Sequence, residues 1–221
     1  MQHIIEITED GSHTLYVPEL DEHYHSTHGA IRESLHVYLD AGLHHCSKPE
    51  VNVLEIGFGT GLNAFLTLLD IEKSAKTVKY TTLERYPISL ADAQIFNYGK
   101  LLDPAKEEMF MQIHSCPWGD RVEITPDFHL KKLQMDASNL DDFQPEAPFD
   151  VIYYDAFAPD KQPALWTQEI FNRLYTLSNL GAALTTYCAK GAVRRMLQTA
   201  GFMVERLPGP PGKREILRAV K

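Results

Sequence analysis

An α/β fold built on a mostly parallel sheet is predicted by three features of this 221-residue sequence. Strand-like apolar runs alternate with helix-like runs from residue 51 to the C-terminus. A glycine-rich turn joins the first of those strands to the first of those helices. The predicted strands then end, one after another, in a carboxylate: Glu55, Glu84, Asp136 and Asp155. Alternation of this kind implies parallel strands with helices on both faces. In such sheets ligands bind beyond the carboxyl ends of the strands.

The elements follow in order. Residues 3–8 and 14–17 alternate apolar and polar positions around Glu9-Asp10-Gly11-Ser12, a turn signal between two hairpin strands. Residues 26–43 have helical periodicity, entered through Ser26 or Thr27. Strands are expected at 51–56, 78–83, 149–154 and 182–187, and helices at 62–72, 87–98, 166–177 and 192–200. Two further strands, 121–125 and 128–135, meet at Pro126-Asp127. A closing pair, 202–207 and 215–220, brackets Pro208-Gly209-Pro210-Pro211-Gly212. The stretch 102–120, interrupted by Pro104, Pro117 and Gly119, is expected as an insertion. The chain thus divides into a hairpin-and-helix extension, 1–48, and an α/β domain, 49–221.

The run Glu55-Ile56-Gly57-Phe58-Gly59-Thr60-Gly61-Leu62-Asn63 carries the first chemical information. Alternate glycines permit a sharp turn and close approach of backbone to ligand. The helix that follows directs its first N–H groups at whatever lies on the turn. The spacing is G-x-G-x-G, whereas dinucleotide folds use G-x-G-x-x-G. Glu55 before the turn disfavours a pyrophosphate and suits a cation. S-adenosylmethionine, with a sulfonium, an ammonium and no phosphate, meets both conditions. Glu84 is then expected to accept the ribose hydroxyls, and Asp136-Ala137 the adenine amino group. Asp155, delivered beside the sulfonium, is the expected catalytic group: it can hold an incoming amine and accept its proton.

Composition narrows the setting. A net charge of −9 argues against a general nucleic-acid binder. Its distribution is uneven, however. Residues 190–221 hold eight Lys/Arg against two Asp/Glu, while the preceding residues hold 13 against 28. A polyanion could therefore dock at one place. Three dispersed cysteines, Cys46, Cys116 and Cys188, fit neither a disulfide framework nor a metal site. The histidines between His23 and His45 are not expected to bind metal. No run approaches the ~20 apolar residues of a membrane span, and Met1-Gln2-His3-Ile4 is unlike a signal peptide. A cytoplasmic protein is expected.

The glycine run, Glu84-Arg85-Tyr86-Pro87, Asp155-Ala156-Phe157-Ala158-Pro159 and Leu165-Trp166-Thr167 together resemble the methyltransferase domain of the bacterial tRNA wobble-uridine enzymes of the MnmC family. Tyr24-His25-Ser26, Arg32-Glu33, Thr185-Thr186-Tyr187, Gly191-Ala192-Val193-Arg194-Arg195, Ala200-Gly201-Phe202 and Gly212-Lys213-Arg214-Glu215 extend the likeness from about residue 10 to the C-terminus. The glycine run alone matches any class I methyltransferase; the Asp155 run with Trp166, and Lys213-Arg214-Glu215, are far more specific.

The resemblance implies a Rossmann-like class I S-adenosylmethionine-dependent sheet. The implied reaction is N-methylation of 5-aminomethyl-2-thiouridine at the tRNA wobble position, giving 5-methylaminomethyl-2-thiouridine. Cofactor contacts are implied for Glu55, Gly57, Phe58, Gly59, Thr60, Gly61, Asn63, Glu84, Arg85, Asp136 and Ala137. Catalysis falls to Asp155. The implied substrate contacts are Tyr24, Phe157, Trp166 and Tyr187, flanking a flipped base, and Lys190, Arg194, Arg195, Lys213 and Arg214, facing the anticodon stem-loop backbone. The long form of the family adds a flavin-dependent oxidase domain, which these 221 residues cannot contain. A stand-alone methyltransferase without FAD or metal is therefore expected, with a separate enzyme supplying the aminomethyl group. Two rival chemistries use the same features: aminopropyl transfer to a polyamine, which an acidic body would suit, and methylation of another amine. A non-catalytic nucleotide- or tRNA-binding module and a nicotinamide dehydrogenase are weakened by Asp155 and by the loop spacing respectively.

Overall fold

The structure, a computed structural model, describes residues 3–221. Met1 and Gln2, the start of the segment judged unlike a signal peptide, lie outside it. The chain opens with a three-stranded antiparallel sheet, β1 (Ile4–Ile7), β2 (His13–Val17) and β3 (Glu22–His23), followed by helix α1 (Ala30–Ser34). An alternating series follows: β4 (Glu50–Ile56), α2 (Leu62–Ile71), β5 (Thr77–Glu84), α3 (Leu90–Ala93), α4 (Tyr98–Leu102), α5 (Glu107–Ser115), β6 (Arg121–Thr125) and β7 (Phe128–Gln134). The chain continues through β8 (Phe149–Tyr154), α6 (Gln168–Leu177), β9 (Ser178–Thr186), α7 (Gly191–Ala200), β10 (Met203–Pro208) and β11 (Glu215–Val220).

Eight strands form the main sheet in the order β10-β11-β9-β8-β4-β5-β7-β6. The five central strands are parallel; β6 and β11 run against them on either side, and β10 pairs antiparallel with β11 at the edge. Successive residues of the central strands feed two cores. Val51, Val53, Tyr80 and Tyr153 pack on one face with Leu62, Phe65 and Phe110. Leu54, Ile56, Ile152 and Tyr154 pack on the other with Ile170, Phe171 and Leu197. Burial on both faces is why these strands read as unbroken apolar runs. The first core also holds Leu15, Val37 and Tyr38, so the N-terminal extension shares it.

The sequence pattern differs from the fold where tertiary bonds decide. The helix expected over 26–43 starts only at Ala30, after Gly29 at φ +132°, and loosens into a π-helical turn, Leu35–Asp40. The segment before it is an extended strap, with Ser26 N donating to Glu33 Oε2 at 2.8 Å and Glu9 N to Thr27 O at 2.9 Å. The single helix expected over 87–98 is two short helices. Asn97, at the break, accepts from His13 N and donates to Gly11 O, and Tyr98 Oη donates to His13 O. The insertion contains a helix, α5, whose Phe110 and Ile113 complete the first core.

The N-terminal ends of the sheet are clipped by Asp150, which is 4% exposed. It accepts from Lys48 Nζ at 2.6 Å, Asn52 N at 2.9 Å and Asn179 Nδ2 at 2.7 Å, tying β4, β8 and β9 together. Asp150→Ala leaves the Asn52 strand N–H without its acceptor and takes one from Lys48 and from Asn179. Urea denaturation is expected to show a loss of about 2–4 kcal/mol, with the far-ultraviolet spectrum retained.

Candidate active site

The chain runs from β4 to β5 and β7 on one side, then crosses to β8 and β9 on the other. The order of the sheet therefore reverses between β4 and β8, and a crevice opens there. Asp155 N donates to Ile56 O at 3.0 Å, bringing the glycine turn and the end of β8 side by side. A cavity of about 540 Å³ lies above them, lined by Gly57, Phe58, Gly59, Asn63, Glu84, Arg85, Asp136, Ala137 and Asp155 among others.

The glycine turn is shaped for a ligand without phosphate. Gly57 has φ +92°, and a Cβ there would sit 2.7 Å from Asp155 O. Gly61 has φ +73° and caps α2. The glycine N–H groups are already engaged: Gly57 with Leu83 O, Gly59 with Glu84 Oε2 and Gly61 with Phe58 O, at 2.8–3.1 Å. A pyrophosphate draws on N–H donors at such a turn; here the three glycine donors are spent, one of them on the Glu84 carboxylate. A nucleoside carrying positive charge meets no such conflict. Glu84, which also accepts from Tyr86 N at 2.7 Å, keeps lone pairs for ribose hydroxyls. Asp136 accepts from Ser138 N at 2.9 Å and pairs with Arg85 Nη1 at 2.6 Å. Both are available as cavity walls.

Three of the expected cofactor contacts lie elsewhere. Thr60 and Gly61 build the turn from behind: His25 Nε2 bonds Thr60 Oγ1 at 2.8 Å and His114 Nε2 bonds Thr60 O at 3.1 Å. Burial pushes both histidines down to about 4, so they are neutral at pH 7. Glu55 does not reach the cavity. It is wholly buried, facing the core side of the sheet between Thr82 and Tyr153. Glu84, Asp136 and Asp155 line the cavity, and Glu55 does not.

Asp155 is held by two donors. Tyr38 Oη donates to Oδ1 at 2.5 Å, and Asn63 Nδ2 to Oδ2 at 2.8 Å. Burial pushes its carboxyl up to about 7, against the two hydrogen bonds and the charge of Lys213, which pull it down. Tyr38 comes from the π-helical turn and packs on Tyr153, with ring centroids 5.2 Å apart. Residues 38 and 155 share no local signal, so sequence reasoning missed Tyr38. Asn63 enters from the first turn of α2.

The acceptor side has aromatic walls. Tyr24 and Phe157 line the cavity edge to face, with centroids 5.0 Å apart, and Tyr187 Oη donates to Ala156 O at 2.8 Å. Trp166, expected beside the base, does not line the cavity. It is buried against Tyr154 and Phe171, and its Nε1 donates to Phe157 O at 2.8 Å, so it braces the Asp155 loop from below. Lys213, expected to face an RNA backbone, turns inward instead. It pairs with buried Glu33, lies 4.1 Å over the Tyr187 ring and forms part of the cavity wall. Lys190, Arg195 and Arg214 are exposed outside the cavity, Lys190 paired with Asp160, and Arg194 is half-buried on α7. The histidines between 23 and 45 bond separately, His23 to Glu6, His28 to Glu9, His36 to Pro208 O and His44 to Asp70.

A prediction follows from the carboxyl's surroundings. Tyr38 favours the ionised form of Asp155, so Tyr38→Phe raises the carboxyl further. In a ¹³C NMR titration the Asp155 carboxyl, centred near pH 7 in the wild type, is expected to move up by roughly half to one unit.

Comparison with known proteins agrees with this geometry. Residues 101–221 match a family model described as S-adenosyl-L-methionine-dependent methyltransferase. The tRNA 5-methylaminomethyl-2-thiouridine biosynthesis bifunctional protein MnmC of Magnetococcus marinus is 33% identical over 94% of this chain and 32% of its own length. Its counterpart from Cupriavidus metallidurans is 30% identical over 95% and 32%. The chain thus spans about a third of the curated relatives it matches. The crystal structure of MNMC2 from Aquifex aeolicus superposes with a TM-score of 0.83 at 26% identity, over 99% of this chain and 70% of that one. A spermidine synthase, at 14% identity and a TM-score of 0.56, shares the fold. With more than half of its residues inside that family model, and a carboxylate-lined crevice beside a turn whose glycine N–H groups are spent, the chain belongs to the S-adenosyl-L-methionine-dependent methyltransferases.

Proposed function

We propose that this chain transfers a methyl group to the exocyclic amine of a 5-aminomethyl-2-thiouridine at the tRNA wobble position, giving the 5-methylaminomethyl nucleoside. The observation that carries this reading is Asp155: a carboxyl at about 7, open to an aromatic-walled cavity and gripped by two donors. The names of the MnmC relatives supply the substrate class.

Bound S-adenosylmethionine supplies an electrophilic methyl group on a sulfonium. The chain's residues do the rest. Gly57, Gly59 and Asn63 form the floor, Glu84 receives the ribose, and Asp136 with Ala137 stands at the base. Asp155 receives the incoming amine. An alkylammonium has a pKa of about 10, so only about one part in a thousand is neutral at pH 7. An ordinary carboxyl would accept its proton at a cost of about 9 kcal/mol. Raising Asp155 to about 7 lowers that to about 5 kcal/mol. Tyr38 and Asn63 occupy one lone pair on each oxygen, leaving the others for the N–H bonds of the amine and fixing the direction of its free lone pair. Tyr24, Phe157 and Tyr187 suit a flipped pyrimidine, each stacked aromatic contributing about 1–3 kcal/mol. Positioning both reactants accounts for up to ~7–11 kcal/mol of the barrier.

The exposed cations Arg195 and Arg214, with half-buried Arg194, lie beyond the carboxyl end of β9, on the cavity side of the sheet, and suit the anticodon phosphates. Lys213 belongs to the pocket and not to this face.

The test is direct. Purified protein, S-adenosylmethionine and tRNA bearing 5-aminomethyl-2-thiouridine are expected to yield the methylaminomethyl nucleoside by mass spectrometry. Asp155→Asn is expected to bind cofactor normally and lose turnover by at least about a hundredfold. Turnover of a diamine with decarboxylated S-adenosylmethionine, and none of tRNA, would favour aminopropyl transfer instead. Reversing Arg195 and Arg214 to Glu is expected to weaken tRNA binding and flatten its salt dependence by about one unit of slope per lost phosphate contact; unchanged filter binding across a salt series would move the docking face elsewhere.

A further inference from the structure

Behind Asp155 lies a group of buried polar atoms that the methyl-transfer scheme does not use. Both carboxyl oxygens of Glu55, Asn63 Oδ1, Tyr80 Oη and Thr82 Oγ1 are buried without a hydrogen-bond partner, five of the nine such side-chain atoms among the described residues. They belong to one place. The sheet register sets Glu55 beside Thr82 on β5 and Tyr153 on β8, with Tyr80 two residues before Thr82. Asn63 overhangs them from α2. Thr82, Asn63 and Tyr80 lie close enough to act on the carboxyl, without aligned hydrogen bonds to it. Tyr153 Oη is occupied with Thr67 at 3.2 Å.

An ionised Glu55 is poorly served here. A fully buried carboxylate needs a cation or several donors, and the nearby charge is Asp155, of the same sign. It could take the second N–H of Asn63 beside the one on Asp155 Oδ2, but it would leave the buried Asn63 Oδ1 without any donor. A protonated Glu55 resolves every orphan together. Its O–H donates to Asn63 Oδ1, its carbonyl oxygen accepts from Tyr80 and Thr82, and the Asn63 N–H₂ remains on Asp155 Oδ2, where it lies at 2.8 Å.

We propose that Glu55 works as a neutral carboxylic acid and as a positioning residue, donating to Asn63 Oδ1 and thereby fixing the amide that holds Asp155. Burial, with a smaller push from the Asp155 charge, raises its carboxyl well above the usual range against the opposing pull of Thr82, Asn63 and Tyr80, in the direction this requires. The acidic residue of the glycine run therefore acts on the catalytic carboxylate through Asn63, and not on the cofactor.

The role of Asp155 rests on the methyl-transfer reading, but the decisive measurements need no acceptor. Glu55→Gln keeps both a donor and an acceptor in the same shape. It is expected to bind S-adenosylmethionine within about threefold of the wild type, because no charge is removed; an anion in contact with the cofactor would cost about tenfold or more. At about pH 8.5, where Asp155 is ionised, difference infrared spectra are expected to show a protonated-carboxyl C=O band. That band should persist in Asp155→Asn and vanish in Glu55→Gln. Absence of the band in the wild type, or a folded Glu55→Gln that loses tenfold or more in cofactor affinity, would overturn the proposal. In the assay with tRNA, Glu55→Gln is expected to keep the acid limb of its kcat–pH profile. Glu55→Leu should shift that limb upward with KM little changed, and an unmoved limb in a folded Glu55→Leu would also overturn it.

Discussion

In the proposed reaction, Asp155 has to satisfy two opposed demands. A base for an alkylammonium must be hard to ionise, which requires burial, and it must also touch the substrate, which requires an opening. The sheet reversal between β4 and β8 supplies the opening, and enclosure by Tyr38, Asn63 and the Gly57 turn supplies the burial. The rest of the structure is arranged around this compromise. Gly57 must be glycine because the Asp155 carbonyl fills the space where a Cβ would lie. Trp166 must be buried because its indole N–H holds the carbonyl two residues beyond Asp155.

The N-terminal extension is part of the site in this arrangement. Tyr38 reaches Asp155 from a π-helical turn, a local irregularity often found where a helix must aim a side chain. Tyr24 stands over Gly59, His25 bonds the glycine turn, and Glu33 receives Lys213 from the β10–β11 connection. A single strap thus touches the glycine turn, the aromatic wall of the cavity and the far edge of the sheet. Its neutral, buried His25 joins strap to loop without adding charge near the ligand.

Much of the central sheet was legible because burial on both faces leaves a strong apolar signature; β8 matches its expected bounds, and β4, β5 and β9 differ only at their ends. The edge pair β10–β11 was legible from the Pro-Gly run between its strands. Less legible were elements governed by distant bonds. Asn97 breaks a helix because the hairpin turn claims its amide, and α1 is delayed because Glu33 and Glu9 hold the strap extended. Neither partner is near in sequence. The site shows the same division. Gly57, Gly59, Asn63, Glu84, Asp136 and Asp155 line the cavity and Glu55, Thr60 and Gly61 do not, whereas Trp166 and Lys213, given to the substrate through the family resemblance, serve the fold as a brace and a wall.

By itself the sequence determined the α/β class, the glycine turn and the carboxylates that end the strands, since each is encoded by neighbours within a few residues. Only the tertiary structure decided which carboxylate meets the ligand and which is buried behind it. Glu55 and Asp155 look alike as strand-end acids. The turn lifts one chain end over the crevice while the sheet register leaves the other facing α2, and that difference in desolvation gives two identical chemical groups opposite surroundings.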